Sequence, residues 1–596
     1  MGNEDLKNPL LHGEEPDIDE IKNFGQFCKE AKVENRKLWS LAAPAIFTYV
    51  AQYSLGGLTQ VFAGHLTTLE LDAFSTENMV IAGLAFGIML GMGSALETLC
   101  GQAFGAGKLH MLGVYMQRSW IILNTMCLCI LPLYIWAEPI LKFFGQNDEI
   151  AALAGRFSLY MIPQLFAYGF NFPIQKFLQS QSKIKTMAWV SAVAVVFHLV
   201  LCWLLIVKLH MGLPGAAIAL NVSWWLVVLG QFAYIYLGYC PGAWTGFSMS
   251  AFCELGAFAR LSIASAIMMC LEMWYLMLLV VLAGQLENPT LAVAAISICT
   301  NLNGWELMIF LGFNAAISVR ISNELGAGRP RAAKFAILVV VISALAIGIS
   351  FFALVLGLRN VYALPFTSSP EVASAVSHLA FILALTLLFN SVQPVLTGVA
   401  IGAGWQWLVA YVNLGCYYIV GLPLGFLLGK YFNLGVQGIW TGMVSGVGLQ
   451  TLILLIITLK TNWSKEVSLA DSRIKQWGGS GDDPEEVTRS TEKSPHSDLG
   501  FAHVLVNALI RNIKARLHRQ QASSAPRARK PTTISLLQEL ITGQQRLERR
   551  VDCIQEQLMF SVSQYSELAG GLAEISTKWA DSEDSDDSQE EEDDDA

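Results

Sequence analysis

Charge is what the middle of this chain lacks. Only 14% of its 596 residues are Asp, Glu, Lys or Arg, against roughly 25% in a soluble domain. Those few crowd into the first 37 residues and the part beyond about residue 465, leaving an apolar middle. A water-soluble core is excluded. The eleven cysteines lie mostly inside apolar runs, with no CxxC pair and no His/Cys cluster. That excludes a zinc site and a disulfide framework and leaves small apolar fillers in helix packing. Short alternating segments, the mark of barrel strands, are missing too. The polar, acidic N-terminus shows no cleavable leader. "GQAFGAGKL" at 101–109 fails as a phosphate loop: five residues separate Gly101 from Gly107 where four are needed, and Leu109 stands where a Ser or Thr should hold magnesium. It reads instead as a Gly-rich helix end entering a short loop, as does "ELGAGRP". No ATPase machinery, enzyme chemistry, metal or cofactor is expected, so energy must come from an ion gradient.

What is present is a series of apolar runs long enough to span a bilayer. Twelve are bounded by charge or turn residues: 38–62, 79–103, 119–140, 153–175, 186–207, 213–238, 258–283, 291–318, 333–358, 373–399, 406–429 and 435–459. The predicted fold is an all-α polytopic membrane protein of twelve helices in two six-helix lobes. With the N-terminus in the cytosol, inner connections and span ends carry ten Lys/Arg: Lys108, Arg118, Lys176, Lys183, Lys185, Arg260, Arg320, Arg329, Arg331 and Lys334. The outer ones carry five, Lys142, Arg156, Lys208, Arg359 and Lys430. Positive charge stays inside, which puts both termini in the cytosol. The domains expected are an N-tail (1–37), an N-lobe (38–240), a C-lobe (241–460), a linker and basic stretch (461–530), a coiled coil (531–578) and an acidic tail (579–596).

The spans repeat. "AGHL" at Gly64 returns as "AGQL" at Gly284, "FGAGK" at Gly105 as "LGAGR" at Gly326, Gln175 and Trp189 as Gln393 and Trp407, and "GLPGAA" at Gly212 as "GVQGIW" at Gly435. The offsets stay between 218 and 223 residues. Six spans per half makes the repeat parallel, and carriers place their substrate site between such halves. Gln52 then pairs with Glu272, so the acid belongs to the C-terminal half alone.

Two acids fall near mid-span, Glu272 in "CLEMWYLMLLVVLAG" and Glu306 in "NLNGWELMIFLGF". A carboxylate at the bilayer centre costs about 2.5–3.5 kcal/mol and marks a functional site by default. Leaving water disfavours its charged form, so both are candidate proton-coupling groups. Glu97, nearer a span end, reads as packing or loop anchoring. Gln52, Asn171, Gln175, Asn301, Asn303, Asn390 and Gln393 supply polar groups near the same depth, some of them only bridging helices. Trp274, Tyr275, Trp305 and Trp405 offer flat faces to an aromatic or cationic solute.

The stretches "SALETLCGQAFGAGK", "PIQKFLQSQSK", "CLEMWYLM", "GFNAAISVRISNELGAGRP", "NSVQPVLTGVAIGAGWQ", "YYIVGLPLG" and "GVQGIWTGM" resemble the multidrug and toxic compound extrusion (MATE) carriers. Within them they resemble the plant DETOXIFICATION branch, which includes the transparent-testa type of flavonoid carrier. The resemblance spans about residues 30 to 478. It implies a proton-driven antiporter with two six-helix lobes, a central cleft and alternating access. The substrates it implies are organic cations, flavonoid glycosides, alkaloids or organic acids. It assigns proton coupling to Glu272 and aligns Asn390 with a position where some relatives carry an aspartate; Asn cannot titrate, which leaves more of the coupling to Glu272. It also aligns Pro44 with a proline tied to helix bending.

The tails stand apart. Leu10 and Leu11 form a pair near acids, suited either to vesicle sorting or to an ordinary tail. From Leu537 a heptad places apolar or aromatic residues at ten of twelve a and d positions, as a coiled coil requires. It is read either as an oligomerisation or partner module or as a neighbouring reading frame joined on. The expected partners are a small organic solute, protons and the bilayer, with no nucleic acid. The membrane is vacuolar or plasma. A lipid-linked precursor flippase and an organic-acid efflux carrier are the alternatives; a flippase would be expected to show a basic cleft, and mid-membrane Lys and Arg are nearly absent.

Overall fold

A computed structural model describes residues 17–19, 21–64, 66–283, 289–363 and 369–477. The Leu10–Leu11 pair, the basic stretch, the coiled coil and the acidic tail lie outside the described residues. Twelve long helices follow the twelve predicted runs: α1 Phe24–Ala63, α2 Thr68–Gly105, α3 His110–Ile135, α4 Asp148–Ser180, α5 Ile184–Lys208, α6 Gly212–Tyr239, α7 Leu255–Ala283, α8 Pro289–Gly326, α9 Pro330–Gly357, α10 Pro370–Ala403, α11 Gln406–Tyr431 and α12 Gly435–Lys460. No strand occurs among the described residues. Helices suit a chain in lipid because each satisfies its own backbone.

Their limits run past the apolar windows because polar residues start and stop them. Thr67 and Glu70 form a capping box at α2, Ser369 caps α10, and Pro330 and Pro370 occupy first-turn positions of α9 and α10. Among the described residues, eleven of these helices are long and apolar enough to cross a membrane. The twelfth, α1, falls outside that set. That helix is continuous over 40 residues and passes through Pro44 without a break, but Thr48, Gln52, Ser54 and Thr59 make it more polar than the others.

The repeat is visible in the packing. α4 packs on α2, α3 and α6, and α10 packs on α8, α9 and α12; α5 packs on α1 and α6, and α11 on α7 and α12. The lobes meet through α1 against α8 and α2 against α7 and α8. Without a hydrophobic force between helices in lipid, close backbone approach and polar contacts hold such lobes together.

Those contacts gather at one end. A Cβ at Gly105 would sit on the Asn323 carbonyl, and one at Gly326 on the Gln102 carbonyl. Two glycines related by the repeat thus allow the lobes to touch backbone to backbone. Thr98 Oγ1 donates to the Ile401 carbonyl, Gln102 Nε2 to the Gly402 carbonyl at 3.1 Å, Gln406 Nε2 to Thr98 Oγ1 at 2.8 Å, and Asn323 Nδ2 to the Ser180 carbonyl at 3.3 Å. Arg320 grips both oxygens of Glu34, at 2.9 and 3.0 Å, and also binds Glu324, which Arg329 approaches at 3.0 Å. Lys176 pairs with Glu97 at 2.7 Å, tying α4 to α2. This end of the molecule is closed.

The expectation of open linker from residue 461 is corrected for its first part. Trp463–Trp477 forms α13, which packs on α2, α8 and α9. Arg473 Nη1 donates to the Ala403 carbonyl at 2.7 Å, Trp405 Nε1 donates to Glu466 at 3.1 Å, and Trp463 packs on Trp405. Burial pulls the Arg473 guanidinium below its ordinary pKa, and nearby Glu466 works against that shift. The segment is helical because Trp463, Ala470 and Ile474 bury one face while Lys465, Asp471 and Lys475 stay outside.

Candidate functional site

Glu272 lies on α7, half-buried, in a crevice of the C-lobe lined by Met273, Tyr275, Leu307, Asn390, Gln393 and Tyr417. Gln393 Nε2 donates to its Oε1 at 3.1 Å and to Thr397 Oγ1 at 3.2 Å. Asn390, one turn earlier on α10, donates to Asn303 Oδ1 of α8 at 2.7 Å. Both α10 amides therefore face the crevice at helical spacing, one holding the carboxylate and one fixing α10 to α8.

Behind the acid stands a rigid wall. Tyr275 is buried and stacks on Tyr417 with centroids 4.3 Å apart and planes 5° apart. Its hydroxyl donates to the Met443 carbonyl at 2.8 Å. Tyr417 donates to Gln450, which donates to Asn413, which donates to the Met268 carbonyl, at 2.8, 2.8 and 3.2 Å. This chain of amides and hydroxyls leads from the crevice into the lobe. Sequence reasoning named Tyr275 but not Tyr417; the doublet "YYIVG" in an apolar run was the available signal.

Glu306 is elsewhere. It is buried on α8, with no hydrogen-bond partner at either oxygen among the described residues. It opens into a second, apolar cavity between α1, α8, α9 and α10 that shares no lining residue with the Glu272 crevice. The neighbours Glu306 and Leu307 point about 100° apart around α8 and line different cavities. Trp305 lines that second cavity, edge-on to Tyr53 at 5.7 Å.

The remaining candidates are dispersed. Gln52 donates to Ser191 at 3.4 Å, inside the N-lobe. Asn171 accepts from Gln231 at 3.3 Å, and Gln175 is buried nearby on the same helix. Trp274 is 44% exposed and does not line the crevice. Asn301 is exposed, and Trp405 sits at the closed end under α13. Pro44 leaves its carbonyl to the Thr48 hydroxyl at 2.8 Å.

Glu77 and His198 are buried ionisable groups that the sequence reading did not single out. Glu77 is fully buried at a π-helical turn of α2, with no hydrogen-bond partner at either oxygen among the described residues. It lies two residues ahead of the apolar run, where a charge reads as a span boundary. His198 of α5 is enclosed by Thr59 at 2.9 Å, Ser223 at 2.9 Å and the Ala219 carbonyl. A lone histidine in "VVFHLVLC" was its signal.

A membrane-embedded, two-lobed helical carrier with buried carboxylates is the class this fold and site define. Residues 44–204 and 264–427 match the MatE family model. Protein DETOXIFICATION 33 of Arabidopsis thaliana is 59% identical over 473 residues, covering 79% of this chain and 98% of that relative. The crystal structure of the eukaryotic MATE transporter AtDTX14 superposes with a TM-score of 0.72 at 36% identity, over 75% of this chain and 100% of the other. The Vibrio cholerae MATE transporter VcmN, at 18% identity and a TM-score of 0.65 over 74% of this chain and 99% of its own, shares the fold alone. The chain belongs to the MatE family, whose members of known structure are transporters and not enzymes.

Proposed function

We propose that the protein is a proton-coupled antiporter that exports or sequesters bulky organic solutes by alternating access. The solutes it suits are organic cations, alkaloids, flavonoid glycosides and other xenobiotics. The observation that carries this reading is Glu272, a carboxylate at membrane depth whose hydrogen-bond partner among the described residues is one amide, Gln393. Hydrocarbon disfavours a bare carboxylate, so a group kept there without a cation is suited to alternate between charged and protonated forms. Gln393 serves both states. Its N–H donates to the carboxylate, and after half a turn its oxygen accepts from the carboxylic acid O–H. Asn390 cannot titrate and is engaged with Asn303, which supports a single carboxyl in this step. Glu306 is the second proton-coupling candidate, lining a different cavity.

The closed end gathers Lys176, Arg320 and Arg329, and positive charge favours the cytosol. With both termini cytosolic, in the vacuolar or plasma membrane, this conformation is the one shut toward the cytosol. Protonation from the open side then has to help break the closed end. The side-chain bonds that cross it hold about 0.5–1.5 kcal/mol each. One proton brings about 1.4 kcal/mol per pH unit and about 2.3 kcal/mol per 100 mV, the same order. A flippase for pyrophosphate lipids or an organic-acid carrier would need an available cation, and the buried Lys176 and Arg320 are already paired with acids.

Reconstituted vesicles with an imposed pH gradient, tested with a panel of flavonoid glycosides and organic cations, decide the matter. Uptake should follow the gradient and collapse when it is dissipated. Uptake indifferent to the gradient would reject proton coupling.

A further inference from the structure

The chain joins its two lobes through residues 240–254, the stretch between α6 and α7. A connection that only had to tolerate rocking would need no partners, because flexible coil suffices. This one is gripped by the N-lobe along most of its length. At its start Lys183 donates to the Tyr239 carbonyl. Gln117 of α3 uses both ends of its amide: Nε2 donates to the Gly246 carbonyl at 2.9 Å, and Oε1 accepts from the Ser248 N–H at 2.8 Å. Arg118 donates from Nε and Nη2 to the Ser250 carbonyl, at 3.3 and 3.1 Å. Trp244 lies edge-on to Trp120 of α3 and Phe232 of α6, with ring centroids 6.1 and 5.9 Å away. A Cβ at Gly113 would sit 2.7 Å from the Ala243 carbonyl oxygen, so α3 and the connection touch backbone to backbone. Cys240, Ala243 and Ala251 are buried. All of these partners are N-lobe residues. The other end differs in kind. Glu254 holds φ at +56°, a left-handed conformation that a residue with a Cβ adopts only at a cost, and α7 begins at Leu255.

We propose that the connection is a clamped tether: residues 240–252 travel with the N-lobe, the lobes pivot on 253–255, and the short free length limits how far the cytosolic end opens. The pivot rests on the alternating-access reading; the clamp does not. Reach decides the point. With everything up to Phe252 held, the three steps to Leu255 span at most about 10 Å, whereas the sixteen from Tyr239 could span about 50 Å. Rocking at this end therefore draws on very few residues. A hinge needs only a few positions that absorb a large φ/ψ change, and Glu254 starts from a strained conformation with less costly ones to move to. Gln117 and Arg118 are adjacent on α3 and both hold backbone atoms, so the clamp fixes the path of the connection whatever its side chains. Since α7 carries Glu272, the pivot also sets the angle at which the helix of the proton site leaves the N-lobe.

Two measurements on purified full-length protein in nanodiscs test it. Hydrogen exchange reads the clamp. Gln117→Leu should speed exchange of the Ser248 amide about tenfold or more, the scale of one hydrogen bond, and leave α6 unchanged. Exchange as fast in wild type as in the variant overturns the clamp. Distances read the pivot. Spin labels on p-acetylphenylalanine are placed in pairs at the exposed positions Thr245, Lys185 and Lys334 and compared at pH 5, at pH 8 and in Gly326→Leu, which forces the closed end apart. As the end opens, Lys185–Lys334 and Thr245–Lys334 should lengthen together while Thr245–Lys185 stays fixed. Gln117→Leu should broaden Thr245–Lys185 and let the open end widen further. A Thr245–Lys185 distance that changes with opening in the wild type overturns the tether, a comparison that stands even if Gln117→Leu fails to fold. A Lys185–Lys334 distance fixed in every condition rejects alternating access and the pivot with it, while exchange still decides the clamp. Glu254→Gly should melt higher than wild type and Glu254→Val lower; equal melting of all three overturns the strained pivot.

Discussion

The acids of the closed end and the acids of mid-membrane are the same residue type in opposite circumstances. Glu34, Glu97 and Glu324 are buried against Arg320, Lys176 and Arg329 at ion-pair distance. Among the described residues, Glu272 has one amide and Glu306 no hydrogen-bond partner. A paired buried carboxylate is fixed in its charged form, because removing either partner strands the other. An unpaired one is free to exchange what neutralises it. The first kind suits a joint between lobes, and the second suits a carrier's proton. Position along the membrane separates the two, since the joint lies where water and cations are near and the exchangeable groups lie where they are not.

The comparison is broken most forcefully at Arg320. Arg320→Met strands Glu34 and leaves Glu324 to Arg329 alone, and the melting temperature of purified protein should report a loss of about 3–5 kcal/mol. An unchanged melting temperature would mean that the pair is not structural. At mid-membrane, Gln393→Leu removes a hydrogen bond to a charged group worth about 1.5–3 kcal/mol. Gradient-driven flux should drop about tenfold or more, while the melting temperature should fall less than in Arg320→Met. Gly326→Leu forces a side chain against the Gln102 carbonyl, and overpacking of about 1–3 kcal/mol should prise the closed end apart. Thiol labelling of a cysteine placed at Ser322 would rise; labelling as slow as in the parent would show that the glycine is not needed for closure. Arg473→Ala should cost the least, about 1 kcal/mol, seen as faster amide exchange confined to α13.

Much of the fold was legible because lipid imposes run length and charge segregation on a sequence directly. The helices then overran the windows by a turn or several, since caps such as Thr67 and Ser369 are polar and fall outside any hydropathy window. That overrun hid Glu77. The repeat related Gly105 to Gly326 but did not show that they meet across the lobe interface, because contact depends on where the lobes close. Glu34 and Arg320 lie 286 positions apart, and no local pattern could pair them. At the site, Glu272 stood out as the one acid in an oily stretch, and Gln393 and Asn390 proved to be its neighbours. Glu306 stood out for the same reason, yet period and depth could not tell which face of α8 it occupies. Trp274 and Tyr275 are adjacent in sequence and differ completely, one exposed and one stacked on Tyr417, for the same geometric reason.

The central claim is that Glu272 carries the proton that drives transport. Its most direct test measures proton counter-flux and solute flux together in vesicles holding wild type or Glu272→Gln. Solute moving down its own gradient should drag protons the other way through the wild type. Glu272→Gln, folded and inserted equally well, should move no protons with its solute and should not concentrate solute against a gradient. Proton counter-flux of wild-type size in that variant would contradict the account.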